Sequence, residues 1–235
     1  MMARNCLVPT LMSLRLVGPR LLAAKFRGHQ RHLKVIVAHA PTADATQEDR
    51  AAFYTDRYDV STKCNGMETT AVLMDANAGP RDSRLGWEHL CGPHGLPHTR
   101  DVATDPNCVK FGQYCFAHSL VVGHTWFVHH KRHKHTFYTN AEHTGSARDI
   151  DHVLLDLRSS SMSEDVRSLP GVALSTSDNL VNGHLPGHRL VVARLRCRLK
   201  ASAGNVPDAV YVRRQCMDKS VQQKIQTILK DDHSL

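Results

Sequence analysis

The seven cysteines of this 235-residue chain are scattered, and no two stand in a Cys-x-x-Cys pair. That spacing supplies neither a zinc ribbon nor a disulfide framework, and an odd, unframed count points to free thiols in a reducing compartment. No apolar run approaches the ~18 residues that a bilayer-spanning helix needs. The longest clean stretches, Val35–Ala38 and Leu190–Ala193, have the length of strands. There is no internal repeat, which excludes a solenoid. Acidic residues are missing from the first 34 positions, where several Arg and Lys stand. Such a stretch superficially resembles a mitochondrial transit peptide. The preferred reading is a domain strand preceded by an arbitrary start, for a reason that the motifs below supply.

What is present suits one α/β-type domain or two small ones. Hydrophobic residues make up 41% of the chain, enough to bury a core and to set disorder aside. The net charge is +8, which suits contact with phosphate backbones but equally a merely basic soluble protein. Much of the charge lies in Arg27–Lys34, Lys131–Lys134 and Arg189–Lys200, interleaved with His.

Leu21–Phe26 and Leu33–Ala38 read as two strands joined by the polar turn Arg27-Gly28-His29-Gln30. Ala43–Tyr58 reads as a helix with Thr42 as its cap and Asp44, Glu48 and Asp49 in its early turns. Ala71–Met74 is a short buried strand that runs into the polar loop Asp75–Pro80. Residues 81–110 read as an irregular excursion, Phe111–Leu120 as a helix, and Val121-Val122 as the start of a strand. Further strands are expected at Thr136–Thr139, Ile150–Leu155 and Leu190–Leu199, with loops and one short strand across 159–187. The tail from Ala201 has one helical segment, Ser220–Lys230. Short strands separated by helices and long loops indicate layered α+β or α/β architecture rather than a bundle.

Four polar constellations stand at the ends of apolar strands: His39-Ala40-Pro41-Thr42, Asp75-x-Asn77, Asp151-His152 and His188. Open sheets gather ligand groups at such positions. The chemistry they suit is phosphodiester hydrolysis. An Asp such as Asp75 deprotonates the attacking water, Asn77 orients water or phosphate, and His188 paired with Asp151 stabilises charge on the phosphoryl oxygens. A divalent cation held by carboxylates normally assists. Each piece alone has a plainer reading: Asp-x-Asn as an Asx turn, the His as a surface residue, Asp151 as a solvated strand edge.

The order of the pieces is more specific than any one of them. Gly18–Leu21, Phe26–Gly28 and Val35–Thr42, then Met74–Ala78, Leu120–Phe127 with His133–Phe137, Arg148–Leu154, and Gly187–Ala193 through Lys200 follow one another along the chain. This series resembles the endonuclease/exonuclease/phosphatase domain of non-LTR retrotransposons, a family that includes the craniofacial development protein 2-like proteins of animals. Met74–Ala78 looks like its Gly-Asp-Phe-Asn-Ala motif, and Arg148–Leu154 like its Gln-Ile-Asp-His-Ile-Leu motif. The resemblance covers roughly residues 18–200. It leaves 1–17 as an unrelated start and 201–235 as a tail. It implies an α+β, DNase I-like two-layer β-sandwich flanked by helices, with its N-terminal strands missing. It also implies Mg²⁺-dependent nicking of DNA by intact members, and a location inside the cell, nuclear if the family's role is kept. Neither a membrane nor a protein partner is expected, and no reverse transcriptase domain is expected after Lys200. Residues 18–38 match an internal hairpin of the domain, which argues against a transit peptide.

By this resemblance Asp75 is the general base, Asn77 positions water or phosphate, Asp151 orients the catalytic His188, and Thr136 contacts the DNA backbone. Three departures count against activity. His39 stands where the family has a phosphate-binding Tyr, Gly187 where it has a metal-contacting Asp, and Pro186 where it has Ser or Gly. The lost start of the domain would carry the first Asn and the metal-binding Glu. The acid–base half of the site thus remains, and the metal half is depleted, so no residue is assigned to a metal. The resulting expectation is a remnant Mg²⁺-dependent endonuclease of impaired activity. The alternatives are a non-catalytic nucleic-acid binder and a non-functional fragment. The run His118, His124, His129, His130, His133, His135 keeps no Cys2His2 spacing, and Lys131, Arg132 and Lys134 oppose a cation, so it reads as an exposed loop rather than a zinc site.

Overall fold

The computed structural model describes residues 5–62, 67–79, 87–95, 106–138, 147–174 and 187–201. The expected helix at Ser220–Lys230 and the departure at Pro186 lie outside them. Ten strands and two α-helices follow one another along these residues. They are β1 (Leu11–Gly18), β2 (Leu21–Phe26), β3 (His32–His39), α1 (Gln47–Thr62), β4 (Glu68–Asp75), α2 (Pro106–Ala117), β5 (Leu120–Val122), β6 (Phe137–Tyr138), β7 (Ala147–Arg148), β8 (Asp151–Asp156), β9 (Ser163–Leu174) and β10 (Gly187–Leu195).

The strands form two sheets, one ordered β1-β2-β3-β4-β8-β5 and the other β7-β6-β10-β9. β3 and β4 pair in parallel, with α1 as the crossover that such a pairing requires. Period-two alternation sends the side chains of the six-stranded sheet to two different cores. On one face Ile36, Ala38, Val72, Met74 and Leu154 meet Phe53 and Tyr54 of α1 and Phe111, Tyr114 and Cys115 of α2. On the other face Ala71, Val121, Val153 and Leu155 meet Val166 of β9, with Val191, Ala193 and Leu195 of β10 alongside. The chain is therefore an α+β sandwich, helices on one side and a second sheet on the other.

Several boundaries differ from the sequence reading. Residues 11–17, left outside the motif alignment, belong to β1, which pairs antiparallel with β2, with register shifts near both of its ends. Helix α1 begins at Gln47 rather than Ala43: the Thr46 hydroxyl accepts the Asp49 N–H at 3.1 Å, so Thr46 and not Thr42 caps it. Helix α2 starts at Pro106, five residues early, since proline is tolerated in a first turn whose N–H has no partner anyway. The supposed loops after 159 contain β9, twelve residues long and paired with β10 over nearly its whole length. β10 in turn ends at Leu195, before the basic run is complete.

Candidate active site

β4, β8 and β3 lie side by side, and their register sets three polar residues in one row: His39 is opposite Asp75, and Asp75 is opposite Asp151. β10 supplies the fourth from the facing sheet. His188 Nδ1 lies 2.9 and 3.1 Å from the two carboxylate oxygens of Asp151. Its Nε2 lies 3.9 Å from Asp75 Oδ2, and His39 Nε2 lies 3.5 Å from the same oxygen. The edge of the Phe137 ring packs against the His188 imidazole at 4.8 Å. The histidine is thus held by its carboxylate on one side and an aromatic ring on another, with its Nε2 turned to the open end of the sandwich.

Asn77 sits in the loop that leaves β4, at a φ of 47°. Asparagine tolerates this left-handed conformation better than most side chains. Its N–H donates to Asp75 Oδ1 at 3.0 Å, and its side-chain amide donates to the Ala40 carbonyl at 2.9 Å. The Asx turn and the site, rivals when only the sequence is read, are here one structure: the turn fixes the Asp75 carboxylate. Thr136 is buried. Its hydroxyl accepts the N–H groups of Ile150 and Asp151 at 2.9 and 3.0 Å. It stands behind Asp151 and clamps the start of β8.

The electrostatics follow from this crowding. Burial, and then the neighbouring Asp151, push the Asp75 carboxyl above its usual range, against the Asn77 N–H and the two imidazoles. The hydrogen bond that His188 donates to Asp151 raises His188 against the opposing effect of burial, and the charges of Asp151 and Asp75 add to the rise. A carboxylate of raised pKa beside an imidazole of raised pKa is an acid–base pair.

Ligand atoms of Asp75, Asp151 and His188 come within 4.8 Å of one another, close enough to hold a metal ion. The donor set is nevertheless thin. Both Asp151 oxygens face His188 Nδ1, and Asp75 Oδ1 accepts from Asn77. Asp75 Oδ2 is the carboxylate oxygen left open, and it is also the one a general base would use. Gly187, at a φ of 107°, adds no ligand. Mg²⁺ prefers oxygens and keeps several waters. The described residues therefore do not form a cage for it.

A second polar group lies directly behind the first and was not recognised in the sequence. β8 alternates, so Asp151 faces the site while His152 turns into the helix-side core at 2% exposure. There His152 stacks on Phe111, with ring centroids 5.0 Å apart, and its Nε2 lies 2.7 Å from the Ala78 carbonyl. Beside it are His124, which is buried rather than in an exposed loop, and Asp149. Burial alone would push the Asp149 carboxyl up, yet His124 and His152 hold it below the usual range. Burial lowers His152 despite the attraction of Asp149.

No protein-family model matches the chain. Craniofacial development protein 2 of Bos taurus is similar, at 23% identity over 186 residues. The match takes in 79% of this chain but 28% of that protein, so the chain spans less than a third of its relative's length. Among solved structures, the 3′-5′ exonuclease NExo of Neisseria meningitidis superposes with a TM-score of 0.53 at 18% identity, over 79% of this chain and 71% of that one. The catalytic domain of Xenopus laevis APE2 does so with a TM-score of 0.52 at 17% identity, over 79% and 58%. The fold is DNase I-like. The Neisseria enzyme is also known bound to a product DNA hairpin, and in that form superposes at 0.53 with 15% identity, again over 79% and 71%. In this DNase I-like chain the Asp75, Asn77, Asp151 and His188 constellation stands at one end of the sandwich, where its two sheets meet.

Proposed function

We propose that the chain is a phosphodiester hydrolase acting on DNA, derived from a retrotransposon endonuclease and of reduced activity. The observation that carries this reading is the convergence of Asp75, Asp151 and His188 from three strands of two sheets, with His188 held by both oxygens of Asp151. Asp75, its carboxyl raised by burial, takes a proton from the attacking water. His188, kept cationic by Asp151, faces the negative charge that develops on the phosphoryl oxygens. Asn77 holds the base in place, and His39 at the strand edge offers a second imidazole to a phosphate. The product-DNA complex of the Neisseria enzyme supports DNA as the substrate class.

The reduction of activity rests on the cation. A Mg²⁺ ion would neutralise phosphoryl charge, but the described residues leave it one open carboxylate oxygen. It would have to be shared with the substrate's own phosphate. Losing one preorganised stabiliser costs ~10²–10³ in rate. Nicking of supercoiled plasmid, with and without Mg²⁺, tests the reading. Slow nicking that fails in Asp75→Ala and His188→Ala is the expected result. Equal nicking by both variants would refute it. DNA binding without any nicking would favour the second reading, a non-catalytic binder. The basic run that continues past β10 favours that reading, although its Arg196 is paired with Glu164.

A further inference from the structure

The buried group behind the active site is built like a metal centre. We infer that His124, Asp149 and His152 bind a divalent transition-metal ion of the zinc type, structurally distinct from any cation used at Asp75. His124 Nε2 lies 2.7 Å from Asp149 Oδ2, and His152 Nδ1 lies 3.8 Å from Asp149 Oδ1. All the ligand atoms fall within 4.8 Å of one another. A four-coordinate zinc ion, with bonds of about 2.0–2.1 Å, holds its donors roughly 3.3 Å apart. The two observed separations bracket that spacing, so changes of roughly half an ångström would bring both pairs to it.

The hydrogen bonding makes the same point independently. His152 Nε2 is 2.7 Å from the Ala78 carbonyl, an acceptor only, so that nitrogen carries the proton. In the neutral ring Nδ1 is then a bare lone pair, and it faces a carboxylate inside a site where the His152 side chain is 0% exposed. The side chains of His124 and Asp149 are 4% and 8% exposed. His124 Nε2, His152 Nδ1 and both Asp149 oxygens are buried without an aligned hydrogen bond. Buried polar atoms do not ordinarily stay unsatisfied. A cation between them satisfies all four at once. The second-nitrogen bond from His152 to a backbone carbonyl is the outer-shell arrangement that metal-bound histidines use to fix their tautomer. Two imidazoles and one carboxylate suit a borderline ion such as Zn²⁺ better than Mg²⁺. The buried Lys134 nearby donates to the His94 carbonyl, while its charge also interacts with Asp149. An ion here would tie the turn Gly123–Trp126 to the start of β8, through Asp149 and His152 on either side of Asp151.

The test is metal binding by the whole chain and does not depend on nuclease activity. Chelator-stripped protein is titrated with Zn²⁺ and, in parallel, with Co²⁺ followed by visible absorption. The expected result is one ion per chain, micromolar or tighter, with cobalt d–d bands and no thiolate charge-transfer band. Asp149→Asn and His124→Gln should weaken it by more than the ~10–100-fold that loss of an outer-shell partner costs. Asp75→Ala and His188→Ala should leave it unchanged. Absence of stoichiometric binding by folded wild type would overturn the inference. So would binding that survives Asp149→Asn, or a thiolate band in wild-type cobalt protein, which needs no variant to fold.

Discussion

Thr136→Val is the sharpest test of how the site is held together. The replacement keeps the shape and volume of the side chain and removes one oxygen. That oxygen accepts the N–H of Ile150 at 2.9 Å and of Asp151 at 3.0 Å, at a residue 2% exposed. Valine offers neither N–H an acceptor. A buried donor left unpaired costs ~1–3 kcal/mol. Ile150 and Asp151 are themselves half-buried, so the lower half of that range applies to each, giving about 2–4 kcal/mol together. Equilibrium urea unfolding should show a lower midpoint at an unchanged slope, and Thr136→Ser should stay near wild type. Displacement of Asp151 should also loosen His188, so nicking should fall by at least tenfold. If Thr136 instead served as a DNA contact, as the family resemblance implies, valine would weaken DNA binding and spare stability. A midpoint within about 0.5 kcal/mol of wild type would refute the clamp.

Activity against pH should be bell-shaped: it rises as Asp75 ionises through its raised pKa and falls as His188 loses its proton above the ordinary imidazole value of about 6.5. Because the His188 pKa is raised in the folded chain, its stabilising contribution is present in full below that ordinary value. It is lost as pH rises through the raised one. Asp151→Asn should move the alkaline limb toward lower pH, and an unmoved limb would show that Asp151 does not tune His188. Supplying, by Gly187→Asp, the carboxylate that the resemblance implies at this position should not produce Mg²⁺-dependent nicking, because a φ of 107° strains any L side chain. It should cost ~1–3 kcal/mol in urea unfolding, and wild-type stability with rescued nicking would overturn the point. Gly112→Ala should destabilise by ~1–3 kcal/mol in the same assay, since a Cβ there would lie 2.1 Å from Cζ2 of the buried Trp87. An unchanged midpoint would mean that α2 and Trp87 separate freely.

The strands that carry the site were legible because each couples an apolar run to a polar end. Leu33–Ala38 and Ala71–Met74 needed only their β-branched and apolar content to be read, and the register then put His39, Asp75 and Asp151 in one row. The termini of helices were less legible. Thr42 suits a cap by residue type, but the Asp49 N–H donates to Thr46, four residues further on. β9 was read only as one short strand among loops, for a tertiary reason. Ser163–Leu174 mixes charge, Ser, Pro and Gly, and its strand is made by pairing with β10 rather than by intrinsic preference.

The buried His124, Asp149 and His152 group shows where reading for local spacing stops. A zinc motif announces itself when its ligands are near in sequence, and His118–His135 holds no such spacing. The actual neighbours of His124 lie 25 and 28 positions away, at Asp149 and His152. They meet it because β5 and β8 are hydrogen-bonded partners, with Val122 opposite Leu154. One signal was nevertheless in reach. In a strand, adjacent residues face opposite sides, so if Asp151 points into a catalytic cleft, His152 must point into the core. A histidine is rarely committed to a core without a partner. In the core His152 meets the turn that follows its partner strand β5, where His124 stands, and that contact forms the second polar centre.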